Sequence, residues 1–228
     1  MPHSNTVSVS IYVKAGSRYE RYTEDGVFHF IEHMLFKGSE KRPKPELISG
    51  AIENVGGLLN ASTDRELTVY WSQVPVNYWA QAIDVLCDMI KNPIFDLHEF
   101  EREKNVIIEE LAAVNDHPDE IASLLVDHAL WPDQTIGRDV GGTQFSVNNL
   151  SSDQMIKSYN ERYIPTNIVI SVAGNVSSET VFDICNDFIG DWSGAVSDNW
   201  VPAMDFQNKP VVLNRNFPSE QSHVSLGL

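Results

Sequence analysis

The stretch FHFIEHMLFKG at residues 28–38 constrains the chain most, because it sets two histidines and a glutamate in an otherwise apolar segment. Residues 23–26 (TEDG) suit a helix start, and Gly38 suits a helix end. Apolar side chains cover most of the circumference, so the helix is predicted to be buried. His29, Glu32 and His33 fall at i, i+3 and i+4, which is one stripe. Buried imidazoles and carboxylates need partners, and a metal ion bound by both imidazoles would supply one.

A HxxEH string has a second interpretation, in which the two histidines are ordinary core or surface residues with an acid nearby. A catalytic zinc needs three protein ligands and an open position. The sequence EREKNVIIEEL at 101–111 offers carboxylates for the third. On a helix, Glu103 and Glu110 project within about 20° of each other, whereas Glu109 points about 100° away. Helical periodicity alone does not decide whether these carboxylates are metal ligands or part of a solvent-exposed helix face.

The charge balance limits the partners that the chain can have. A formal net charge of −16 and a pI near 4.7 argue against nucleic acid and disfavour an anionic membrane surface. No apolar run approaches the roughly 20 residues of a membrane span, and no signal peptide opens the chain. We therefore expect a cytoplasmic protein; the alternative is a periplasmic or mitochondrial one whose targeting segment has been removed. Cys87 and Cys185 lack CxxC spacing and are predicted to be reduced core thiols.

The hydrophobic periodicities predict an α+β fold, with helices packed on a mainly antiparallel sheet. Strands are predicted at 7–13, 58–63, 66–74, 167–174, 211–214 and 222–228; the second and third form a hairpin, and 167–174 has a buried-strand pattern. Helices are predicted from Pro43 and Pro45 to Gly56, around 79–90, at 152–162 and at 178–189. A further long helical stretch is predicted from about 96 into the 120s, either continuous or broken near Pro118. Residues 190–208 have a loop-like composition.

Three motifs carry a resemblance to a known family. HFIEHMLFKG, GGLLNASTDRELTVYW and EREKNVIIEE resemble, in order and spacing, the inverted-zincin peptidases of the pitrilysin and mitochondrial-processing-peptidase family, the insulinase-like M16 peptidases. GRDVGG at 137–142 and YIPTNIVISVAGNV at 163–176 look similar too. The resemblance implies a zinc metalloendopeptidase that cleaves unfolded peptides or presequences.

The resemblance also implies a role for each motif residue. His29, His33 and Glu110 would bind one Zn²⁺ per chain, and Glu32 would be the general base that activates a water. Glu103 matches a second acidic position that the family places near the catalytic site, as support for the ligands. Glu109 is the alternative third ligand, on a different helix face.

The segment LLNAST is implied to bind substrate. In similar peptidases this strand is a sheet edge beside the zinc, and an extended peptide adds to it as a further strand. Small side chains at Asn60, Ala61 and Ser62 would permit that approach. The alternative is an ordinary hairpin strand that happens to contain small residues.

The resemblance covers only part of a family member. Such proteins join a zinc-bearing domain to a similarly folded second domain, and two halves enclose the peptide. Residues 1–228 are therefore expected to be a single N-terminal zinc-binding domain, truncated at both ends, that needs a second M16 domain or homologous subunit in a homo- or hetero-oligomer. Alone, it is expected to be weakly active or inactive. The alternative function is a non-catalytic structural or binding subunit of an M16-like complex, although such members typically lose HxxEH.

Overall fold

A computed structural model describes residues 1–194, 201–218 and 220–228. Its centre is a four-stranded antiparallel sheet of order β2-β3-β1-β4. The strands are β1 (Thr6–Val13), β2 (Leu58–Thr63), β3 (Thr68–Pro75) and β4 (Ile168–Ala173). The predicted α+β class and the predicted hairpin of β2 and β3 are both confirmed.

Strand β1 shows why the sheet is covered on one face. Val7, Val9, Ile11 and Val13 alternate along it and are buried, whereas the residues between them are half-buried or exposed. This alternation is the pattern of a strand with one face in the core. The core face is packed by helices, above all α3 (Trp79–Lys91) against β1 and β3.

The remaining helices lie around this layer. In chain order they are α1 (Val27–Leu35), α2 (Pro45–Glu53), α4 (Leu97–Val114), α5 (Pro118–Leu130), α6 (Gln144–Asn149), α7 (Ser152–Arg162) and α8 (Ser178–Ile189). The break near Pro118 is confirmed, because Pro118 starts α5 where a missing N–H costs nothing. The short α6, which has a capping box between Thr143 and Ser146, was not predicted.

Two strand predictions near the end of the chain are wrong. Residues 211–214 and 222–228 are described, and neither forms a strand. Their apolar side chains are exposed, as at Val212 and Val224, and Gly227 lies against Val126 and Leu130 of α5 instead of against a strand. An alternating sequence forms a strand only where a partner strand meets its backbone.

The buried pattern predicted for 167–174 is also wrong in part. β4 is an edge strand, and Val169, Ser171 and Ala173 are exposed. A continuous apolar run predicts that a strand forms, but it does not show whether the strand lies in the middle or at the edge of the sheet. The loop predicted at 190–208 includes residues 195–200, which lie outside the described residues.

Both cysteines are free: Cys87 is buried and Cys185 half-buried. No helix of the described residues has the length and apolarity needed to cross a membrane.

Candidate metal and catalytic site

Helix α1 carries the HxxEH residues, and its start is fixed by an unusual cap. The two carboxyl oxygens of Glu20, which is buried, accept hydrogen bonds from the backbone N–H groups of Gly26 (2.9 Å) and Phe28 (3.1 Å). These are donors that the helix itself cannot satisfy. Gly26 has a φ of +89°, and a Cβ there would lie 2.4 Å from the carbonyl oxygen of Gly141. Only glycine fits this close approach, which brings the loop at 137–142 beside the start of α1.

The structure brings His29, His33 and Glu110 together. The Nε2 atoms of the two histidines are 3.1 Å apart. Oε2 of Glu110, from α4, lies 3.5 Å from Nε2 of His33 and 4.0 Å from Nε2 of His29. One ligand atom from each of the three lies within 4.8 Å of the others. Glu109, the alternative ligand, belongs to no such cluster among the described residues.

This donor set fits zinc. Two imidazole nitrogens and a carboxylate oxygen are ligands that zinc prefers, and bonds of about 2.0–2.2 Å at tetrahedral angles separate such atoms by about 3.3–3.5 Å. The separation of 3.5 Å between His33 and Glu110 matches, and that of 3.1 Å between the two histidines is slightly shorter. The Glu110 side chain, 48% exposed, has room to close the remaining separation of 4.0 Å from His29. Two nitrogen lone pairs 3.1 Å apart repel each other unless a proton or a cation lies between them.

Glu103 supports His33 from the other side of the ring. Its Oε1 accepts the hydrogen bond of His33 Nδ1 (2.9 Å), and its Oε2 lies 2.7 Å from Nζ of Lys37. The Glu103 side chain is only 4% exposed. With Nδ1 as the donor, the lone pair of His33 Nε2 faces the cluster, which is the tautomer that a metal requires.

Glu32 points toward the sheet edge. The hydroxyl of Thr63, the last residue of β2, donates to Oε2 of Glu32. Thr63 Oγ1 is in turn 3.3 Å from the hydroxyl of Thr68, which donates to the carbonyl of Ala15. The carboxylate is therefore tied to β2 on the same face of α1 that carries the histidines.

The protein groups set the protonation of the site. Burial, together with the nearby His33, lowers the pKa of His29 to about 4, so this imidazole is neutral at pH 7. Burial raises the pKa of Glu32, and the hydrogen bonds from the side chain and backbone of Thr63 oppose the rise only in part. A carboxylate whose pKa is raised toward the pH at which the protein works suits a general base.

For His33 and Glu103 the pKa shifts favour the charged forms, in contrast to those of His29 and Glu32. Burial works against the charge on His33, but the hydrogen bond from Glu103 and the charges of Glu110, Glu103 and Glu32 outweigh it and raise its pKa. Burial likewise opposes the charge on Glu103, but the hydrogen bonds from His33 and Lys37 outweigh it and lower its pKa. The two pKa shifts have opposite signs, and each favours the charged form of its group, as expected of a base and an acid that pair.

The predicted substrate strand β2 lies at the sheet edge beside this site. The N–H of Asp64 donates to the carbonyl of Leu67, so the antiparallel alternation turns the N–H groups of Ala61 and Thr63 away from β3. Ala61 N–H is held by the Oδ1 of Asn60 at 2.8 Å. The side chains of Asn60 and Ser62 are exposed, and Ala61 is half-buried.

Sequence reasoning missed two residues of the site, Thr63 and Lys37. Each lies inside a motif that was singled out, yet nothing in the local pattern indicates its partner. Thr63 meets a carboxylate 31 positions earlier, and Lys37 meets one on another helix. Only the packing of α1 against β2 and α4 brings these pairs together.

The comparisons with known proteins place the chain in a family. Residues 1–144 match the family model "Insulinase (Peptidase family M16)", and residues 149–228 match "Peptidase M16 inactive domain". The chain therefore belongs to peptidase family M16, as the sequence motifs predicted. The three clustered residues and Glu32 all fall within the first match. β4 falls within the second match and pairs with β1 of the first, so both segments share one sheet.

The relatives are proteases by name. The chain is 31% identical to an "uncharacterized zinc protease YmxG" of Bacillus subtilis over 99% of its own length and 54% of that protein. It is 33% identical to the human mitochondrial-processing peptidase subunit beta, over 82% of its length and 38% of that protein. The fold matches a protease from Helicobacter pylori with a TM-score of 0.81 at 19% identity, covering 88% of this chain and 48% of that one. The chain thus spans about half the length of the curated relatives it matches.

Proposed function

We propose that this chain is the zinc-binding, catalytic part of a metalloendopeptidase that hydrolyses unfolded peptides or presequences. The observation that carries the proposal is the convergence of His29, His33 and Glu110 at one point, with Glu32 on the same helix. Membership of family M16 and relatives named zinc proteases support it. The three side chains would hold one zinc ion.

A bound zinc would supply Lewis acidity, polarising the peptide carbonyl and making a water in the site easier to deprotonate. The residues of this chain would do the remaining work. Glu32 takes the proton of the attacking water and returns it to the leaving amine, a contribution of about 10²–10⁴ in rate. Thr63 holds Glu32 in place, and Glu103 orients His33.

The edge of β2 would bind the peptide as an added strand. The outward N–H of Ala61 is the donor that a substrate carbonyl would take over from the side chain of Asn60. The small, exposed side chains of Asn60 and Ser62 leave space for that backbone. Since β2 ends at Thr63, a peptide on this edge runs directly toward Glu32.

A partner completes the proposed enzyme. We infer that residues 1–228 act as one zinc-binding domain and pair with a second M16 domain or a homologous subunit. The sheet shared by both matched segments supports the first point. The second is supported by the length of the relatives and by apolar side chains left exposed, such as Phe182 of α8 and Val169 of β4. Without that partner we expect little hydrolysis, because a peptide is not enclosed. A cytoplasmic compartment stays a prediction.

The competing function is a non-catalytic subunit, and one substitution separates the two. Glu32→Gln keeps the shape of the side chain but removes the base, so zinc content should persist while peptide hydrolysis by the partner-completed protein falls by at least about 10². Glu53→Gln, an exposed change on α2, is the control. Hydrolysis that survives Glu32→Gln unchanged would refute the catalytic proposal, and a wild-type protein without zinc or activity would favour the non-catalytic subunit.

A further inference from the structure

Lys37 contacts Glu103, which in turn contacts the proposed zinc ligand His33. It follows the end of α1, one turn after His33, and its Nζ lies 2.7 Å from Oε2 of Glu103. Oε1 of the same carboxylate accepts from His33 Nδ1 at 2.9 Å. The side chains of Lys37 and Glu103 are 26% and 4% exposed. A continuous chain of short contacts therefore links Lys37 to the ring of His33.

The two contacts use the two oxygens of one buried carboxylate. His33 satisfies Oε1, and Lys37 is the partner of Oε2. A buried carboxylate oxygen without a partner costs free energy, so the group turns until it finds a donor. If Lys37 were lost, Oε2 of Glu103 would need a new donor, and any turn of the carboxylate toward that donor would change the bond to His33 Nδ1.

The orientation of Glu103 matters because it determines that of the imidazole. The bond from His33 Nδ1 places the hydrogen of the neutral ring on that nitrogen and points the lone pair of Nε2 at His29 and Glu110. A ring that rotates or changes tautomer no longer offers that lone pair.

We propose that Lys37 is a positioning residue of the metal centre: it holds Glu103 in the orientation that fixes the ring and tautomer of His33. The inference rests on the proposed function, since it requires that His33 bind zinc. It concerns the affinity for zinc and needs no partner or substrate to be tested.

The test is zinc affinity, measured on the purified chain by competition with a chromophoric chelator. We expect Lys37→Met to weaken zinc binding by about tenfold, the lower end of the effects seen for groups that orient metal ligands. Lys37→Arg, which can still donate to Oε2, should stay within about threefold of wild type. The matched control is Lys41→Met, because Lys41 also pairs with a carboxylate, Asp84 at 2.6 Å, and that carboxylate is not part of the cluster of His29, His33 and Glu110.

A double-mutant cycle shows whether Lys37 acts through Glu103. In a Glu103→Gln background, Lys37→Met should cause little further loss, since the carboxylate that it orients is gone. An equal loss in both backgrounds, or zinc affinity unchanged by Lys37→Met, would overturn the inference. Should Lys37→Met not fold, judged by thermal unfolding, Lys37→Gln takes its place in the same cycle.

The controls separate this inference from the proposed function. If His33→Ala binds zinc as well as wild type, the metal site itself is misassigned. If His33→Ala loses zinc and Lys37→Met does not, the site stands and only the role of Lys37 fails.

Discussion

The hydroxyl of Thr63 donates a hydrogen bond to the carboxylate of Glu32, so the end of the edge strand and the proposed general base are held together. The backbone of Thr63 contributes as well, because its hydrogen bond also counters the rise in the pKa of Glu32. A peptide added to β2 would therefore be placed relative to the base by one residue.

Removing the hydroxyl of Thr63 should slow catalysis without disturbing the metal. In the partner-completed enzyme, Thr63→Val keeps the shape and the backbone bond but loses the hydroxyl, so Glu32 is less well oriented and kcat should fall by about tenfold or more. Thr63→Ser retains a hydroxyl and should recover most of the activity. Zinc content should be equal in all three proteins. Wild-type kcat in Thr63→Val would show that this contact does not position the base.

The N–H of Ala61 offers a direct test of strand addition. Ala61→Pro deletes a donor that the sheet does not use, and proline is tolerated on edge strands. Loss of one backbone hydrogen bond to substrate should lower kcat/KM by about 3- to 10-fold. Ala61→Ser, which keeps the N–H, is the control. Equal kcat/KM for Ala61→Pro and Ala61→Ser would mean that substrate does not bond to this position.

Glu20 should make the stability of the protein depend on pH. Burial raises its pKa from 4.5 to about 8, more than the hydrogen bonds from Gly26 and Phe28 lower it. The folded state therefore keeps a proton that the unfolded chain releases. The stabilisation is complete below pH 4.5 and is lost as the pH rises toward 8, by a few kcal/mol across this window.

The pH dependence attributed to Glu20 can be measured by chemical unfolding of chelator-treated protein at several pH values between pH 5 and pH 8. The free energy of unfolding should fall more steeply with pH in wild type than in Glu20→Gln. Glu53→Gln on the surface of α2 should follow wild type. Parallel curves for wild type and Glu20→Gln would rule out a proton held by Glu20.

The parts of the site that the sequence predicted are those encoded within one helix. His29, Glu32 and His33 lie on one stripe of α1 because of their spacing alone. Glu110 could be selected over Glu109 only through the family motif, since helical periodicity left both as possible surface residues. In the structure Glu110 lies in the cluster with His29 and His33, and its role as a ligand stays a prediction.

The contacts that the sequence did not predict depend on how elements pack. Neither Thr63 with Glu32 nor Lys37 with Glu103 is visible in a periodicity, since each joins two elements that fold separately. The same limit explains the wrong strands at 211–214 and 222–228 and the exposed edge at β4. Alternation describes a strand's faces, whereas pairing depends on what lies beside its backbone.

Zinc content tests the central claim most directly, because it depends on the three convergent side chains and on nothing outside this chain. Atomic absorption on purified protein should give about one zinc per chain, as expected for one set of three protein ligands with an open fourth position. His29→Ala, His33→Ala and Glu110→Ala should each lose most of it, whereas Glu109→Ala and Glu32→Gln should keep it. Full zinc in Glu110→Ala with loss in Glu109→Ala, or a wild-type chain that binds no zinc, would contradict the account.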